Sequence, residues 1–421
     1  MIPPHGSATK VRATQRLDDP RGAPTESPGL RPDQLERVSI WGDLDPEGAR
    51  LLADEDSHVE RRSRADPRAR AVGVARRLFF GLAALWLFLV ALGLMKDGAR
   101  GLAPILGGSI ESAWNALGLG WLGSLLVLSG SPVAASSLTL LDAGVLSPEQ
   151  SYAMVVGSRL GASFVVLVIG TLYALRGRAS GRRSPISIGV LALAMTAIAY
   201  VPGAFIGLAA LQSGLFDSLT LTPPPIFFDA VGSISDPAIA LVEQVLSARD
   251  PLGAGLLFLV GLGLLLVSFR LVDELLPSLS SEADDGRARW YVGPWKMFGI
   301  GLVVALATLS VSVALSLLVP AVARGYVRRE QILPYIAGAN ITTLADTLVV
   351  GILTGNDVAP RVVLAVAIGV TCSTLVILAL VYRPLRRLIF WLQATVLANR
   401  RTLVAFVAML FTLPLLLLFV R

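Results

Sequence analysis

The sequence predicts an all-α polytopic membrane protein with two inverted-topology repeats, each containing a re-entrant or broken helix, plus extra helices. Of its 421 residues, 54% are hydrophobic and 16% are charged, and the mean hydropathy is +0.68. These values indicate lipid as the main solvent. Several apolar runs reach about 20 residues, the length that a helix needs to cross hydrocarbon about 30 Å thick. Part of the chain also repeats at a fixed spacing.

Hydropathy divides the chain into segments. Spanning helices are predicted at about 78–97, 154–174, 185–211, 255–276, 335–354, 361–382 and 402–420. Two further regions, 114–142 and 295–323, are apolar but broken by Ser, Gly and Pro. The predicted organisation is a polar, disordered cytoplasmic tail at 1–77, a first transmembrane repeat at 78–211, an extracytoplasmic loop at 212–254, a second repeat at 255–382, and an amphipathic linker with a final transmembrane helix at 383–421.

Arginine clusters near the helix ends predict the orientation. The clusters at 76–77, 176–183, 383–387 and 399–401 are expected in the cytoplasm, which leaves 212–250 and 355–360 outside. The polar tail offers two interpretations, a disordered extension with a short helix near 46–57 or a segment that docks a partner. The expected location is the cell membrane, which is the inner membrane in a Gram-negative bacterium.

The repeat aligns residues 114–163 with 295–344 without a gap, at a spacing of 181 residues. Eleven of these 50 positions are identical, including a tryptophan, a Glu-Gln pair and two serines. The turn at 142–150 carries only acidic charges, whereas its counterpart at 323–331 carries three arginines. The two copies are therefore expected to face opposite sides of the membrane, a pattern typical of secondary transporters.

Each copy contains a serine pair at the point where its apolar segment is broken. The pairs are Ser129 with Ser131 and Ser310 with Ser312. A break at membrane depth frees backbone groups that protein, ions or substrate must satisfy, because lipid offers no hydrogen-bonding partner. The alternative is a Ser/Gly face for helix packing. The occurrence of both pairs in one register favours a central site.

The composition argues against enzyme chemistry. Both histidines lie in the polar tail, and the single cysteine, Cys372, cannot form an intrachain disulfide. The apolar body has no His or Cys cluster for a metal, no paired acids and no nucleophile elbow. We therefore expect neither an enzyme nor a resident cofactor, and the basic runs fit membrane topology rather than nucleic-acid binding.

The chain resembles the sodium/phosphate (Na/Pi) cotransporter family over about residues 80–382. The resemblance rests on GANITT at 338–343, DAGVLSPEQ at 142–150 and FLVALGLMKDG at 88–98. It implies a secondary transporter of a small inorganic anion, phosphate, coupled to sodium ions. The family's Gln-Ser-Ser-Ser motifs are degenerate, reading LSGS at 128–131 and LSVS at 309–312. The candidate substrate- and ion-binding residues are Ser129, Ser131, Ser310, Ser312, Arg159, Asn340, Thr342 and Thr343.

Arg159 stands where the family pattern places an asparagine. A guanidinium buried in a bilayer needs a partner. The interpretations are an ion pair with Asp346, a side chain that reaches water, or a direct contact with an anionic substrate. The acids Asp97 and Asp273 are interpreted as solvated helix ends or, alternatively, as coupling groups.

Three functions are consistent with these patterns. The first is the transporter. The second is a membrane scaffold or sensor of the same fold that has lost transport, which the missing motif glutamines favour. The third, an enzyme that acts on lipid, lacks candidate catalytic residues.

Overall fold

The computed structural model describes residues 67–106, 110–175, 183–221, 223–246, 250–275, 293–308, 314–315, 317–323, 327 and 329–420. The chain divides into two units, Met1–Gly73 and Val74–Arg421. Of the first unit only 67–73 are described, and they are helical. The predicted disordered tail and its short helix therefore lie outside the described residues up to position 66.

Most of the described residues are helical, and none of them forms a strand. The helices are α1 (Pro67–Leu106), α2 (Ala113–Val127), α3 (Ser131–Asp142), α4 (Pro148–Ala162), α5 (Phe164–Leu175), α6 (Arg183–Gln212), α7 (Pro225–Leu246), α8 (Pro251–Leu275), α9 (Pro294–Thr308), α10 (Leu318–Ala323), α11 (Arg329–Thr342), α12 (Leu344–Leu353), α13 (Val358–Val376), a π-helical turn (Ile377–Val381), α14 (Tyr382–Ala398) and α15 (Arg400–Leu417).

Seven helical segments in the described part are long and apolar enough to cross a membrane. They are Leu78–Pro104, Pro148–Leu172, Ile186–Gln212, Pro251–Leu271, Gln331–Leu353, Val358–Ala398 and Arg400–Leu417. Each overlaps one of the seven predicted runs, so this part of the sequence prediction is confirmed by length and composition. The helices α2 and α9 are apolar but too short to span.

The break predicted at 128–132 lies where α2 ends and α3 begins. Leu128 ends α2 in the left-handed backbone conformation (φ 58°), which is rare for a residue with a side chain. Ser131 begins α3, and Pro132 suits the first turn because its missing N–H has no helical acceptor there. The second predicted break falls on residues 309–313, which include Ser310 and Ser312 and lie outside the described residues.

Glycines set the spacing of α2 and α4. A Cβ atom on Gly120 would lie 2.1 Å from the carbonyl oxygen of Met154, and one on Gly157 would lie 2.1 Å from that of Leu117. The two helices therefore pack backbone to backbone. The contacts of Leu117 with Gly157 and of Trp121 with Gly161 keep a constant offset, so α2 and α4 run parallel.

The helix α3 runs in the opposite direction to α4. Gly130 lies beside Ser158, and the Ser137 hydroxyl is 2.9 Å from that of Ser151. Contacts that advance along one helix and retreat along the other define an antiparallel pair. The chain therefore reverses at 128–131, and α2 with α3 forms a hairpin whose tip is this break.

The helix α6 lies at the centre of the bundle. It packs against α5 where Gly189 meets Leu167, and against α13 where Gly203 meets Gly369. It also contacts α11 and α14. Its neighbours thus include helices from both copies of the sequence repeat.

One helix lies in the segment predicted as an extracytoplasmic loop. The helix α7 occupies 22 residues of the interval 212–254. It packs against α1 and α8, where Trp86 donates a hydrogen bond to the carbonyl of Ile234 and Ile239 is buried. Three acids interrupt its apolar pattern, which is why hydropathy alone did not reveal it.

Candidate functional site

A buried polar cluster lies where α6 meets α5 and α11. The hydroxyls of Ser163 and Thr196 are 2.7 Å apart, and the Asn340 amide donates to the Thr196 hydroxyl over 3.1 Å. The Tyr200 hydroxyl and the Thr343 hydroxyl both donate to the backbone carbonyl of Asn340, over 2.9 and 3.1 Å. All five residues are buried. The hydrogen bonds compensate for the lost hydration of these groups.

Arg159 forms the charged part of this region. Its Nη2 atom lies 3.5 Å from Oδ1 of Asp346 and also donates to the hydroxyl of Thr347. The side chains of Arg159 and Asp346 are only 2% and 6% exposed. The ion pair with Asp346, one of the alternatives that the sequence left open for Arg159, is therefore present.

The ion pair leaves hydrogen-bonding capacity unused. Within the described part of the chain, Nε and Nη1 of Arg159 have no partner, and neither has Oδ2 of Asp346. These two nitrogens carry three of the five guanidinium N–H groups. Unpaired donors on a buried cation are costly, because water no longer solvates them. The arrangement can therefore accept an oxygen-rich ligand at Arg159 and a cation or proton at Asp346.

Tyr200 joins the charged and neutral parts of the region. Its side chain interacts with Thr343 and lies within electrostatic range of both Arg159 and Asp346. Arg159 and Asn340 occupy equivalent positions of the sequence repeat, at the spacing of 181 residues. The residues at this one repeat position, one from each copy, thus lie in the same polar region. We call this region the central polar cluster: Arg159, Ser163, Thr196, Tyr200, Asn340, Thr343, Asp346 and Thr347.

The structure brings together only part of the predicted site. Arg159, Asn340 and Thr343 belong to the central polar cluster. Ser129 and Ser131 lie at the tip of the α2–α3 hairpin and are half-buried, and their hydroxyls make no hydrogen bond to a described residue. The tip is one residue from Arg159 along α4, because Gly130 packs on the carbonyl of Ser158.

Thr342 lies apart from the cluster. Its hydroxyl donates to the carbonyl of Leu302 over 3.1 Å, so it contributes to the packing of α11 against α9. Gly161, the equivalent residue of the first copy, packs on the carbonyl of Trp121 in the same place. Ser310 and Ser312 cannot be located, since both lie outside the described residues.

Sequence reasoning missed several members of the cluster. Ser163, between α4 and α5, and Thr196 and Tyr200, in α6, are single polar residues in apolar surroundings and match no motif. Thr196 and Tyr200 are four residues apart, so they share one face of α6. Polar residues inside a spanning helix usually face protein, and this spacing was the available signal.

A cavity of about 170 Å³ lies between α1, α7 and the ends of α3 and α12. Lys96 lines it and pairs with Asp142 over 2.9 Å, while its ammonium also donates to the Thr354 carbonyl over 3.1 Å. Asp236 lines the cavity from α7. Thr354 is eight residues beyond Asp346, about 12 Å along a helix axis. The cavity is therefore near one end of the bundle, away from Arg159.

Acidic groups beside the cavity interact with one another. The pKa of Glu243 is raised above its usual value, mainly because the carboxyl group is partly buried. The negative charge of Asp97 and a hydrogen bond with it raise this pKa further. Asp97 also pairs with Arg100, three residues later, over 3.5 Å. Asp97 therefore has a cationic partner in Arg100. The side chain of Asp273 lies outside the described residues.

Metal-binding groups are not clustered in the described part of the chain, where no three His, Cys, Asp or Glu residues lie together. Comparison of the chain with protein-family models, curated proteins and solved structures finds no match.

Proposed function

We propose that the protein is a secondary transporter of a small inorganic anion, phosphate, coupled to sodium, in the cell membrane. The observation that carries the proposal is the buried guanidinium of Arg159, which has three N–H groups without a partner among the described residues. It lies in a polar cluster to which both copies of the repeat contribute. Polar and charged groups at membrane depth commonly mark substrate pathways.

The packing of the second copy supports a duplicated architecture. A Cβ atom on Gly301 would lie 2.1 Å from the carbonyl oxygen of Tyr335, and one on Gly338 would lie 2.1 Å from that of Phe298. Each distance equals that of the equivalent contact between α2 and α4. In addition, α2 and α9 have equivalent bounds at the spacing of 181 residues.

The directions of the helices support the inverted arrangement. Contacts of Tyr152 with Ala204 and of Leu167 with Gly189 make α4 and α5 antiparallel to α6. The helix α6 is antiparallel to α13, and α13 turns back on α12 where Ala359 meets Gly351. The equivalent helices α4–α5 and α11–α12 therefore run in opposite directions, as inverted-topology repeats require.

The charges suggest how an anion and a cation would be coupled. Arg159 and Asp346 neutralise each other in the absence of solute. An oxyanion bound to Nε or Nη1 of Arg159 would add a buried negative charge, which is unfavourable at low dielectric. A sodium ion or proton at the unpartnered Oδ2 of Asp346 would remove that excess. Each ion would thus favour binding of the other.

The second candidate is a scaffold or sensor that does not transport. It is favoured by the ion pair itself, since Asp346 already neutralises the cation that would attract an anion. The positions of the motif glutamines hold Leu128 and Leu309, which also removes ligands that the Na/Pi resemblance implies.

Uptake of radiolabelled phosphate into proteoliposomes, with and without an inward sodium gradient, distinguishes the candidates. We expect gradient-dependent uptake that falls about tenfold or more in Arg159→Lys, because an ammonium cannot reproduce the planar donor set. Arg361→Gln is the control, because Arg361 pairs with the largely exposed Asp217 and not with the cluster. Absence of uptake by the folded native protein would favour the scaffold.

Cysteine labelling tests the inverted arrangement in a Cys372→Ser background. Glu149 and Glu330 are equivalent residues at the starts of α4 and α11. Cysteines placed at these two positions should react with an impermeant maleimide from opposite sides, position 149 from outside. Reaction of both from one side would rule out inverted repeats.

A further inference from the structure

The end of the chain has an unusual charge composition. Positions 358–421 contain seven arginines and no aspartate, glutamate or lysine. Five of the arginines lie between 383 and 401, and four of these, Arg383, Arg387, Arg400 and Arg401, are exposed. No ion pair between described residues involves these four. The segment therefore presents positive charge that no acid of its own can neutralise.

The helix α14 cannot lie in the same membrane span as α13, because the two together are too long to cross once. The segment Val358–Ala398 has 41 residues, about 61 Å of helix, which is twice the thickness of the hydrocarbon. The part from Val358 to Val381 is already about 36 Å long. Arginines lie just inside the start of α14 and just after its end. Both ends therefore belong at one membrane surface, with α14 lying along it.

The two faces of α14 fit this position. Ile389 and Val396 are 1% and 5% exposed and pack in the clusters that contain α6 residues. On the other side, Leu388 and Trp391 are 53% and 63% exposed, beside Arg387. An exposed face that combines arginine, leucine and tryptophan is typical of a helix at the boundary between headgroups and acyl chains.

We propose that this exposed face of α14 binds the headgroup of an anionic phospholipid. Arg383 and Arg387 are one helical turn apart and can contact one phosphate together, while Leu388 and Trp391 contact the acyl chains. Arg400 and Arg401 hold the far end of the helix at the same surface. Charge complementarity specifies the partner, because the surface is cationic and no acid within 358–421 competes for it.

The test is native mass spectrometry of the full-length protein with phosphatidylglycerol or with phosphatidylcholine of the same acyl chains. Phosphatidylglycerol should bind preferentially, and Arg383→Gln with Arg387→Gln should weaken it about tenfold. The matched control is Arg76→Gln with Arg270→Gln, which removes two other exposed arginines. It should leave the affinity nearly unchanged.

Further outcomes discriminate between explanations. Arg383→Lys with Arg387→Lys should retain most of the binding, which shows that loss in the Gln variant is not a folding failure. Equal loss in the control variant would indicate general surface charge and overturn the proposal. Equal binding of phosphatidylcholine would also overturn it. Displacement of the lipid by inorganic phosphate would assign the arginines to a soluble anion instead.

Discussion

The helix pairs α2–α4 and α9–α11 share their packing and differ in their chemistry. Gly120 and Gly301 meet a carbonyl oxygen at the same would-be Cβ distance, and so do Gly157 and Gly338. Two residues after each of the latter glycines, however, one pair carries Arg159 and the other Asn340. Small residues thus fix how closely the helices approach in both copies, while the side chain at this position gives the central polar cluster a cation from one copy and a neutral amide from the other.

The surroundings of the two pairs also differ. The end of α15 packs on α2, where the Asn115 amide donates to the carbonyls of Leu418 and Val420, both over 2.9 Å. The equivalent residue of α9 is Lys296, which is exposed. The helix α15 lies outside the repeat and packs on α2 of the first pair. An added helix has therefore made two equivalent surfaces unequal.

The largest difference between the two copies should appear when Arg159 and Asn340 are each replaced by alanine. Arg159→Ala leaves the carboxylate of Asp346 buried without its cation, and should lower the free energy of unfolding by about 3–5 kcal/mol. Asn340→Ala removes neutral hydrogen bonds and should cost about 1–2 kcal/mol. Denaturant titration of the purified protein in detergent measures both values.

The double variant sharpens this comparison. Arg159→Ala with Asp346→Ala leaves neither charge unpaired, so it should recover much of the lost stability. If the two single costs simply add, the ion pair does not determine stability. Wild-type stability in Arg159→Ala alone would contradict the assignment of the guanidinium to a buried position.

Much of the fold could be predicted from the sequence because spanning helices must be long and apolar. The seven predicted runs coincide with the seven apolar segments, and the Ser-Gly-Ser-Pro stretch at 129–132 marks the break. Helix ends were harder to place. The interruptions at Ser163 and Thr343 fall inside runs that hydropathy treats as continuous.

The central polar cluster was only partly predictable. The resemblance led to Asn340 and Thr343, and the cost of a buried guanidinium led from Arg159 to Asp346. Thr196 and Tyr200 come from α6, outside the aligned repeat, so the repeat could not indicate them. Lys96 was missed for a different reason, because its partners Asp142 and Thr354 are distant in sequence.

Because the two copies share their packing, an added methyl group should lower the free energy of unfolding by the same amount in each. Gly120→Ala and Gly301→Ala each place a Cβ 2.1 Å from a carbonyl oxygen, so each should lower the free energy of unfolding by about 1–3 kcal/mol. Gly299→Ala is the control, because no atom of the described residues lies within 4 Å of its would-be Cβ. The same titration measures all three. A tolerated Gly301→Ala beside a damaging Gly120→Ala would mean that the pairs are packed differently.

The smallest expected effect concerns Gly118 and Gly299, which are equivalent in sequence but not in surroundings. A Cβ on Gly118 would lie 2.6 Å from the carbonyl oxygen of Pro414 in α15. Gly118→Ala should therefore cost about 1 kcal/mol, whereas Gly299→Ala should gain a few tenths from higher helix propensity. In a chain that ends at Asn399 the obstacle is gone, so Gly118→Ala should become as harmless as Gly299→Ala. If the cost persists without α15, the asymmetry arises within the repeat rather than from the added helix.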